Sequence, residues 1–343
     1  MRVAVTGVGG GVGQSIMKAL TLSSLEVEIY PVDVQPLSAC LYRGQRGTVL
    51  PPPEKPGALE QWAVWLAQER IDALIPGSDH DLISLAGVRD DWLRQGVCQV
   101  LISDPELVAA CQDKALTSEL LGGLGLPYPR SAWSLSLDQA LAWAGGQGYP
   151  LILKPRRGSG SRQLHLVQDE EELRFYFPRT KEPILQEHLG DGDAQEEFTC
   201  AVFADAAGQC QGTFMARRQL MAGATYQAEI GYWPQIDELL LELGRRLRPR
   251  GPLNVQLRST PRGPVPFELN IRCSGTTAIR AYFGFNEPEM LLRHYVLGEP
   301  LAAPARRTGY AFRYWNEVFL EGVDGQRLRQ GPQGIAGVIL PWP

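Results

Sequence analysis

Pro252-Leu253-Asn254-Val255-Gln256-Leu257-Arg258, then Thr260-Pro261-Arg262-Gly263, then Val265-Pro266-Phe267-Glu268-Leu269-Asn270-Ile271-Arg272: no other stretch of the chain is as informative. Both flanks alternate apolar and polar residues, and Pro261, Gly263 and Pro264 lie between them, so a β-hairpin is expected. Successive strand side chains point to opposite faces, which gives Glu268, Asn270 and Arg272 a common face. Gln256 can stand opposite them on the neighbouring strand. One carboxylate, two amide oxygens and a guanidinium on one patch of sheet make an oxygen-rich site for a hard divalent cation beside an anion clamp. That combination suits a triphosphate whose terminal phosphate is transferred. A solvent-facing polar strand is the alternative that the hairpin alone leaves open.

Composition bounds the rest. A chain of 343 residues exceeds one ordinary core, so two or three domains are expected. Hydrophobic residues at 44% and charged residues at 21% are a normal globular balance, and a net charge of −5 gives no basis for binding nucleic acid or an acidic membrane. No apolar run reaches the ~18 residues that suggest a membrane span. The first residues enter a strand with no charged leader or small-residue cleavage site, the pattern of a cytoplasmic chain. Cys40, Cys98, Cys111, Cys200, Cys210 and Cys273 include no Cys-x-x-Cys pair, so they read as reduced thiols and not as a disulfide framework or zinc site.

Working back from the hairpin, residues 2–6 form an apolar strand that runs into Gly7-Val8-Gly9-Gly10-Gly11-Val12-Gly13. A helix over 14–21 and a strand over 27–32 ending at Asp33 complete a βαβ opening. Strands at 47–50, 73–75 and 99–102, with a helix at 57–69, extend it to a doubly wound parallel sheet within 1–105. A helix over 105–122 carries Asp113-Lys114. A helix at 137–144 precedes a strand that ends at Lys154-Pro155 and opens into a Gly/Ser/Arg loop, 156–162. A strand at 163–167 and a helix at 170–177 follow. From 184 onward strands dominate, with one helix at 236–247. The expected organisation is 1–105, 106–185, 186–303 and a C-terminal extension, 304–343, whose segment Arg313 to Glu317 can pair back onto the last sheet. The fold class is therefore α/β followed by α+β.

The Asn-Val-Gln strand, the Glu-x-Asn-x-Arg strand and the loop Ser274-Gly275-Thr276-Thr277 resemble the ATP-grasp superfamily, in particular the branch of the carbamoyl-phosphate synthase large subunit. The resemblance implies a Rossmann-like domain followed by a two-lobed ATP-grasp fold with an antiparallel C-terminal sheet. It also implies ATP and Mg²⁺ (or Mn²⁺) as cofactors, with Gln256, Glu268 and Asn270 on the metal and Asn270, Arg272 and Arg218 at the transferred group. Arg217 is the competing choice to Arg218. Lys154 resembles the family's phosphate lysine, and Gly158, Ser159, Gly160 and Ser161 its glycine-rich lid; no Walker A pattern follows those glycines. Gln186, Glu187, His188 and Leu189 fall at the adenine hinge, where backbone groups of Glu187 to Leu189 would bond the base, helped by the Glu187 carboxylate. Glu197 matches the ribose-binding glutamate, with Glu196 the competing choice, and Lys114 the first nucleotide-contacting lysine. Many members have a carboxylate where this chain has Gln256, although the carbamoyl-phosphate synthase branch uses glutamine.

The reaction that the resemblance implies is phosphorylation of a small carboxylate to an acyl phosphate, which an amine then attacks, with ADP and phosphate released. A single ATP-grasp unit argues against carbamoyl phosphate synthesis, so an amino-acid or small-peptide ligase is the expected type. Its partners would be small molecules, with no nucleic acid and no membrane, and there is room for a homodimer. Gly9 to Gly13, Ser78, Asp79, Arg272, Ser274 and Arg280 are candidates to line the acceptor site. Other readings are an ATP-grasp kinase, an ATP-binding regulator without catalysis, and a nicotinamide-dependent oxidoreductase. For the last, Gly7, Gly10, Gly13 and Asp33 would hold the dinucleotide; the chain lacks a Tyr-x-x-x-Lys pair, and that reading leaves the hairpin unexplained.

Overall fold

The computed structural model describes residues 1–43, 46–158, 163–190, 197–314 and 316–339. Strands β1 (Arg2–Val5), β2 (Glu28–Asp33), β3 (Thr48–Val49), β4 (Ala73–Ile75) and β5 (Gln99–Val100) form an all-parallel sheet in the order β3-β2-β1-β4-β5. Helices α1 (Gly11–Thr21), α2 (Ala58–Gln68) and α3 (Asp79–Arg94) make its crossovers. The doubly wound sheet is as expected, but α3 has no counterpart in the sequence reading. Its apolar signal is diluted by acidic residues, and it starts because the Ser78 hydroxyl accepts from the His80 N–H (3.2 Å).

Residues 105–122 are not one helix. They divide into α4 (Pro105–Cys111) and α5 (Lys114–Gly123), because the Asp113 side chain turns back to accept from the N–H groups of Ala115 (2.9 Å) and Leu116 (3.5 Å). An aspartate that caps a new helix ends the previous one, since its backbone leaves the helical region. A four-stranded sheet follows, ordered β6 (Ser131–Trp133), β9 (Pro183–Glu187), β7 (Leu151–Pro155), β8 (His165–Val167), with α6 (Leu137–Gln147) and α7 (Glu170–Tyr176) between its strands in sequence. Leu151, Leu153, Leu185 and Val167 pack with Ala140, Ala144 and Leu173 of these helices, which leaves the opposite face to Ile152, Lys154, Ile184 and Gln186.

The third sheet is six-stranded: β14 (Gly263–Asn270), β13 (Gly251–Thr260), β10 (Glu197–Ala204), β11 (Cys210–Met221), β12 (Ala224–Ile230) and β15 (Gly309–Phe312), in that order. All its pairings are antiparallel. The hairpin is β13–β14, with Gln256 paired to Glu268 and Asn254 to Asn270. β15 pairs with β12, so the extension does join the last sheet, a few residues earlier than the segment expected. Phe198, Cys200, Val202, Leu253, Val255 and Leu257 face helix α8 (Pro234–Leu247) and pack against its Leu239, Leu240 and Leu243. Alternation then commits Glu197, Thr199, Asn254, Gln256, Arg258, Glu268 and Asn270 to the other face. Among the described residues no helix is long and apolar enough to cross a membrane.

That polar face is anchored from beneath by α9 (Thr277–Tyr282) and α10 (Glu287–Leu291). Arg280 and Glu287, both 0% exposed, pair at 2.8 Å. Arg280 also donates to Asn254 Oδ1 (2.6 Å), the Cys200 carbonyl (3.0 Å) and Thr199 Oγ1 (3.2 Å), and Glu287 accepts from Thr277 Oγ1 (2.7 Å). The expected role of Arg280 in lining the acceptor site is therefore corrected: this guanidinium is a buried strut. Removing one member of a fully buried pair leaves the other charge uncompensated. Arg280→Met is expected to lower the unfolding free energy by about 3–5 kcal/mol, measured by urea denaturation; a loss under about 1 kcal/mol would mean the pair is bypassed.

Candidate active site

On the hairpin, Glu268 Oε1 accepts from Asn270 Nδ2 at 3.0 Å and from Gln256 Nε2 at 3.4 Å. The carboxylate and both amides are thus gathered at one point, as the strand alternation requires. Gln256 Oε1 is not free, however: it accepts from Arg218 Nη2 at 2.7 Å. Arg218 also holds Glu197 Oε1 through Nε (3.0 Å) and Nη2 (2.6 Å), and Arg258 reaches Glu197 Oε2 at 3.2 Å. These contacts engage groups expected at the metal, the transferred phosphate and the ribose. The Gln256 oxygen is given to an arginine, Arg218 is committed to a glutamate and a glutamine, and both Glu197 oxygens are ion-paired. Arg217, the competing choice, pairs instead with Glu229. Among the described residues no group of three or more His, Cys, Asp or Glu side chains is placed to hold a metal, so any metal site here rests on one carboxylate and amide oxygens.

Lys154, at the end of β7, is 7% exposed. Among the described residues it forms no ion pair at bonding distance. Burial pulls its pKa down from 10.5 to about 8, while the more distant Glu268 carboxylate raises it and Lys114 lowers it further. Lys114 begins α5, and its ammonium donates to the carbonyls of Gly158 (2.9 Å) and Arg156 (3.4 Å). Burial lowers its pKa too, against the pull of Glu268, Asp79 and Asp113. The start of the glycine-rich loop is further tied to Asp113, which pairs with Arg156 (2.9 Å) and Arg157 (3.3 Å). Asp113 is thus helix cap and loop anchor at once. Ser159, Gly160, Ser161 and Glu196 lie outside the described residues.

The hinge residues divide by strand parity. Gln186 shares the face of Lys154, but its Nε2 donates to Ser131 Oγ at 2.9 Å, so it braces β6. Glu187 lies on the opposite face and is clasped by Arg130 Nε (2.7 Å), the Arg130 N–H (3.0 Å) and Arg262 of the hairpin turn. Burial pushes its pKa up, but Arg262 and Arg130 outweigh this and hold it below the usual carboxylate value. The expectation that this carboxylate helps bond a base is corrected. Its backbone N–H is also taken, by the Arg130 carbonyl (2.9 Å). His188 is half-buried and Leu189 buried, directly beyond β9.

Arg272 follows β14 and reaches across to the first sheet. Its Nε and Nη2 grip Asp79 Oδ1 (2.7 Å) and Oδ2 (3.0 Å), its Nη1 donates to the Cys273 carbonyl (2.9 Å) and its Nη2 to Asn270 Oδ1 (3.4 Å). Asp79, Lys114, Gly158, Glu268 and Asn270 line one small cavity. Sequence reading missed the duties of Asp113, Arg130, Arg258 and Arg262; paired charges far apart in sequence carry no local signal. The glycine loop is filled by its own chain. Asp33 Oδ2 accepts from the Gly9 N–H (2.7 Å), its Oδ1 from the Gln35 N–H (2.9 Å), and a Cβ on Gly9 would lie 2.4 Å from Ser38 Oγ. Asp33 therefore closes the loop internally and is not offered to a ribose, which weighs against the nicotinamide reading.

No protein-family model matches the chain. It is similar to a carbamoyl phosphate synthase large chain, C-terminal section, of Methanopyrus kandleri, with 33% identity over 105 residues, 29% of this chain and 19% of that protein. A carbamoyl phosphate synthase large chain of Gemmatimonas aurantiaca is 25% identical over 222 residues, 60% of this chain and 20% of its own length. The matches thus span about a fifth of these relatives. Among solved structures, the biotin carboxylase domain of Hydrogenobacter thermophilus 2-oxoglutarate carboxylase, a dimer crystallised with MgADP, ADP and bicarbonate, superposes with a TM-score of 0.70 at 16% identity, covering 90% of this chain and 73% of that one. N5-carboxyaminoimidazole ribonucleotide synthetase of Thermus thermophilus superposes with a TM-score of 0.68 at 19% identity, over 89% and 81% of the two chains. The fold is ATP-grasp, and the sequence is that of a chain similar to carbamoyl phosphate synthase large chains.

The buried Lys154 ammonium, without an ion pair among the described residues, costs stability. The folded-state pKa of Lys154, about 8, lies below its ordinary 10.5, so between these values the unfolded chain binds more protons and stability rises with pH. Lys154→Met is expected to increase stability at pH 7 and to remove that part of the rise. Urea denaturation of both proteins from pH 7 to 10 measures it; parallel curves would show that Lys154 is compensated in the fold.

Proposed function

We propose that this chain is an ATP-dependent ligase that phosphorylates a small carboxylate to an acyl phosphate and couples it to an amine, releasing ADP and phosphate. One observation carries the reading: Lys154, buried and without an ion pair among the described residues, lies in the field of Glu268 on the metal-type hairpin. A polyanion bound between the two would satisfy the ammonium, as phosphate oxygens do. The nucleotide complexes of the structural neighbours support the same choice of ligand. In this reading 1–105 is the substrate-facing domain, 106–185 and 186–303 are the two lobes, and the extension 304–343 lends β15 to the second lobe.

Glu268 and Asn270 would hold Mg²⁺ or Mn²⁺, with Gln256 joining them once Arg218 lets go of its oxygen. The ion supplies charge neutralisation at the phosphates. The chain's own residues do the positioning that phosphoryl transfer mainly requires. Lys154 and Lys114 hold phosphate oxygens, Lys114 couples that contact to the base of the loop through Gly158, and Arg272 meets the transferred group. The Glu187 carbonyl and the Leu189 N–H are the hinge groups we assign to the base, and Glu197, set by Arg218 and Arg258, accepts from the ribose.

Hydroxylamine tests the chemistry, because it attacks an activated carbonyl without the natural amine. Candidate carboxylates, amino acids first, are expected to yield hydroxamates together with ADP in a metal-dependent manner. A stable phosphorylated product without hydroxamate would make the protein a kinase, and AMP with pyrophosphate would refute the acyl phosphate. Glu268→Gln removes the one carboxylate of the metal set and is expected to lower metal-dependent ADP formation at least about a hundredfold, the order of two charge-assisted contacts. Unaltered ADP formation in that variant would place the metal elsewhere.

A further inference from the structure

Asp79 does a job that its place in the fold does not require. It is the first residue of α3, but the cap of that helix is made by Ser78, so the Asp79 side chain is not needed there. Instead it projects into the cavity that also holds Lys114, Gly158, Glu268 and Asn270. There it takes both forks of Arg272, at 2.7 and 3.0 Å, with Arg272 9% and Asp79 16% exposed. A guanidinium has five N–H donors. The bonds to Asp79, Asn270 and the Cys273 carbonyl use four of them, so at most one N–H of Arg272 is left for a ligand oxygen. An arginine in this state cannot grip a phosphate with a fork.

Resting on the nucleotide reading above, we propose that Asp79 occupies Arg272 in place of the transferred phosphoryl group, so that a terminal phosphate gains this arginine only by displacing the Asp79 carboxylate. Asp79 is then a positioning residue that sets how strongly the site prefers a triphosphate to a diphosphate. Because it begins α3, which packs on the first sheet, and Arg272 lies just beyond the hairpin strand, it links the placement of the substrate-facing domain to the readiness of the transfer site.

The test is calorimetric titration of the full chain with the magnesium complexes of ADP and of the non-hydrolysable imido analogue of ATP. The wild type is expected to bind the two with similar affinity. Asp79→Asn, which keeps the shape and removes the charge, should raise affinity for the analogue about tenfold relative to ADP, the worth of one charge-assisted bond regained. Asp79→Glu should restore the wild-type ratio, and in an Arg272→Gln background Asp79→Asn should no longer change it. A merely structural role would move both affinities together, so an unchanged ratio in Asp79→Asn overturns the proposal while leaving nucleotide binding intact. Failure of the wild type to bind either nucleotide would overturn the nucleotide reading itself, and this proposal with it.

Discussion

Arg280 and Glu287 lie entirely out of water beneath the polar face of the six-stranded sheet, and the charges above them are only slightly better solvated. A buried charge is tolerable when it is paired with an opposite one. That constraint organises the molecule: Arg280 with Glu287, Arg218 and Arg258 with Glu197, Arg272 with Asp79, Arg130 and Arg262 with Glu187, Arg156 with Asp113. Arg280 and Glu287 are close in sequence, but the other pairs join residues distant in it, and Arg262 with Glu187 joins two different sheets. Arginine serves throughout because its planar fork meets a carboxylate with two bonds at once.

Against this background of matched pairs Lys154 stands apart. Without an ion pair among the described residues, it is buried on the face of the four-stranded sheet turned away from α6 and α7, and burial is the largest cause that lowers its pKa to about 8. Perturbed groups in clefts commonly mark functional sites, and on the reading proposed above an anion compensates this one. Ammonium groups of Lys154 on β7 and Lys114 on α5 feel the charge of Glu268, which the hairpin gathers with the amides of Asn270 and Gln256. On the reading proposed above, a metal–polyphosphate complex bridges these two sets of groups.

The arginine pairs also reach the hairpin site itself. Gln256 carries no charge, and its oxygen is engaged by Arg218. Asp113 shows the same economy of placement, since one carboxylate ends α4, caps α5 and fastens the loop beyond Lys154.

The sequence by itself determined the parallel first sheet, the hairpin and its register, and the gathering of Glu268, Asn270 and Gln256. These follow from alternation and from turn residues, which act over a few positions and leave a periodic trace. It also marked Lys154, which ends a strand directly before a loop of small residues, whereas Lys114 was marked only by the family resemblance. It missed α3 and the break between α4 and α5, where a polar helix and a single capping aspartate leave little periodicity to read. Only the tertiary structure decided which charges neutralise one another: that Glu187 turns to Arg130 and Arg262, that Arg218 takes Gln256 and Glu197, that Arg280 is a strut, and that Arg272 is held by Asp79. Such pairings depend on the approach of side chains up to 193 residues apart, and burial makes them strong only once the elements that exclude water have come together.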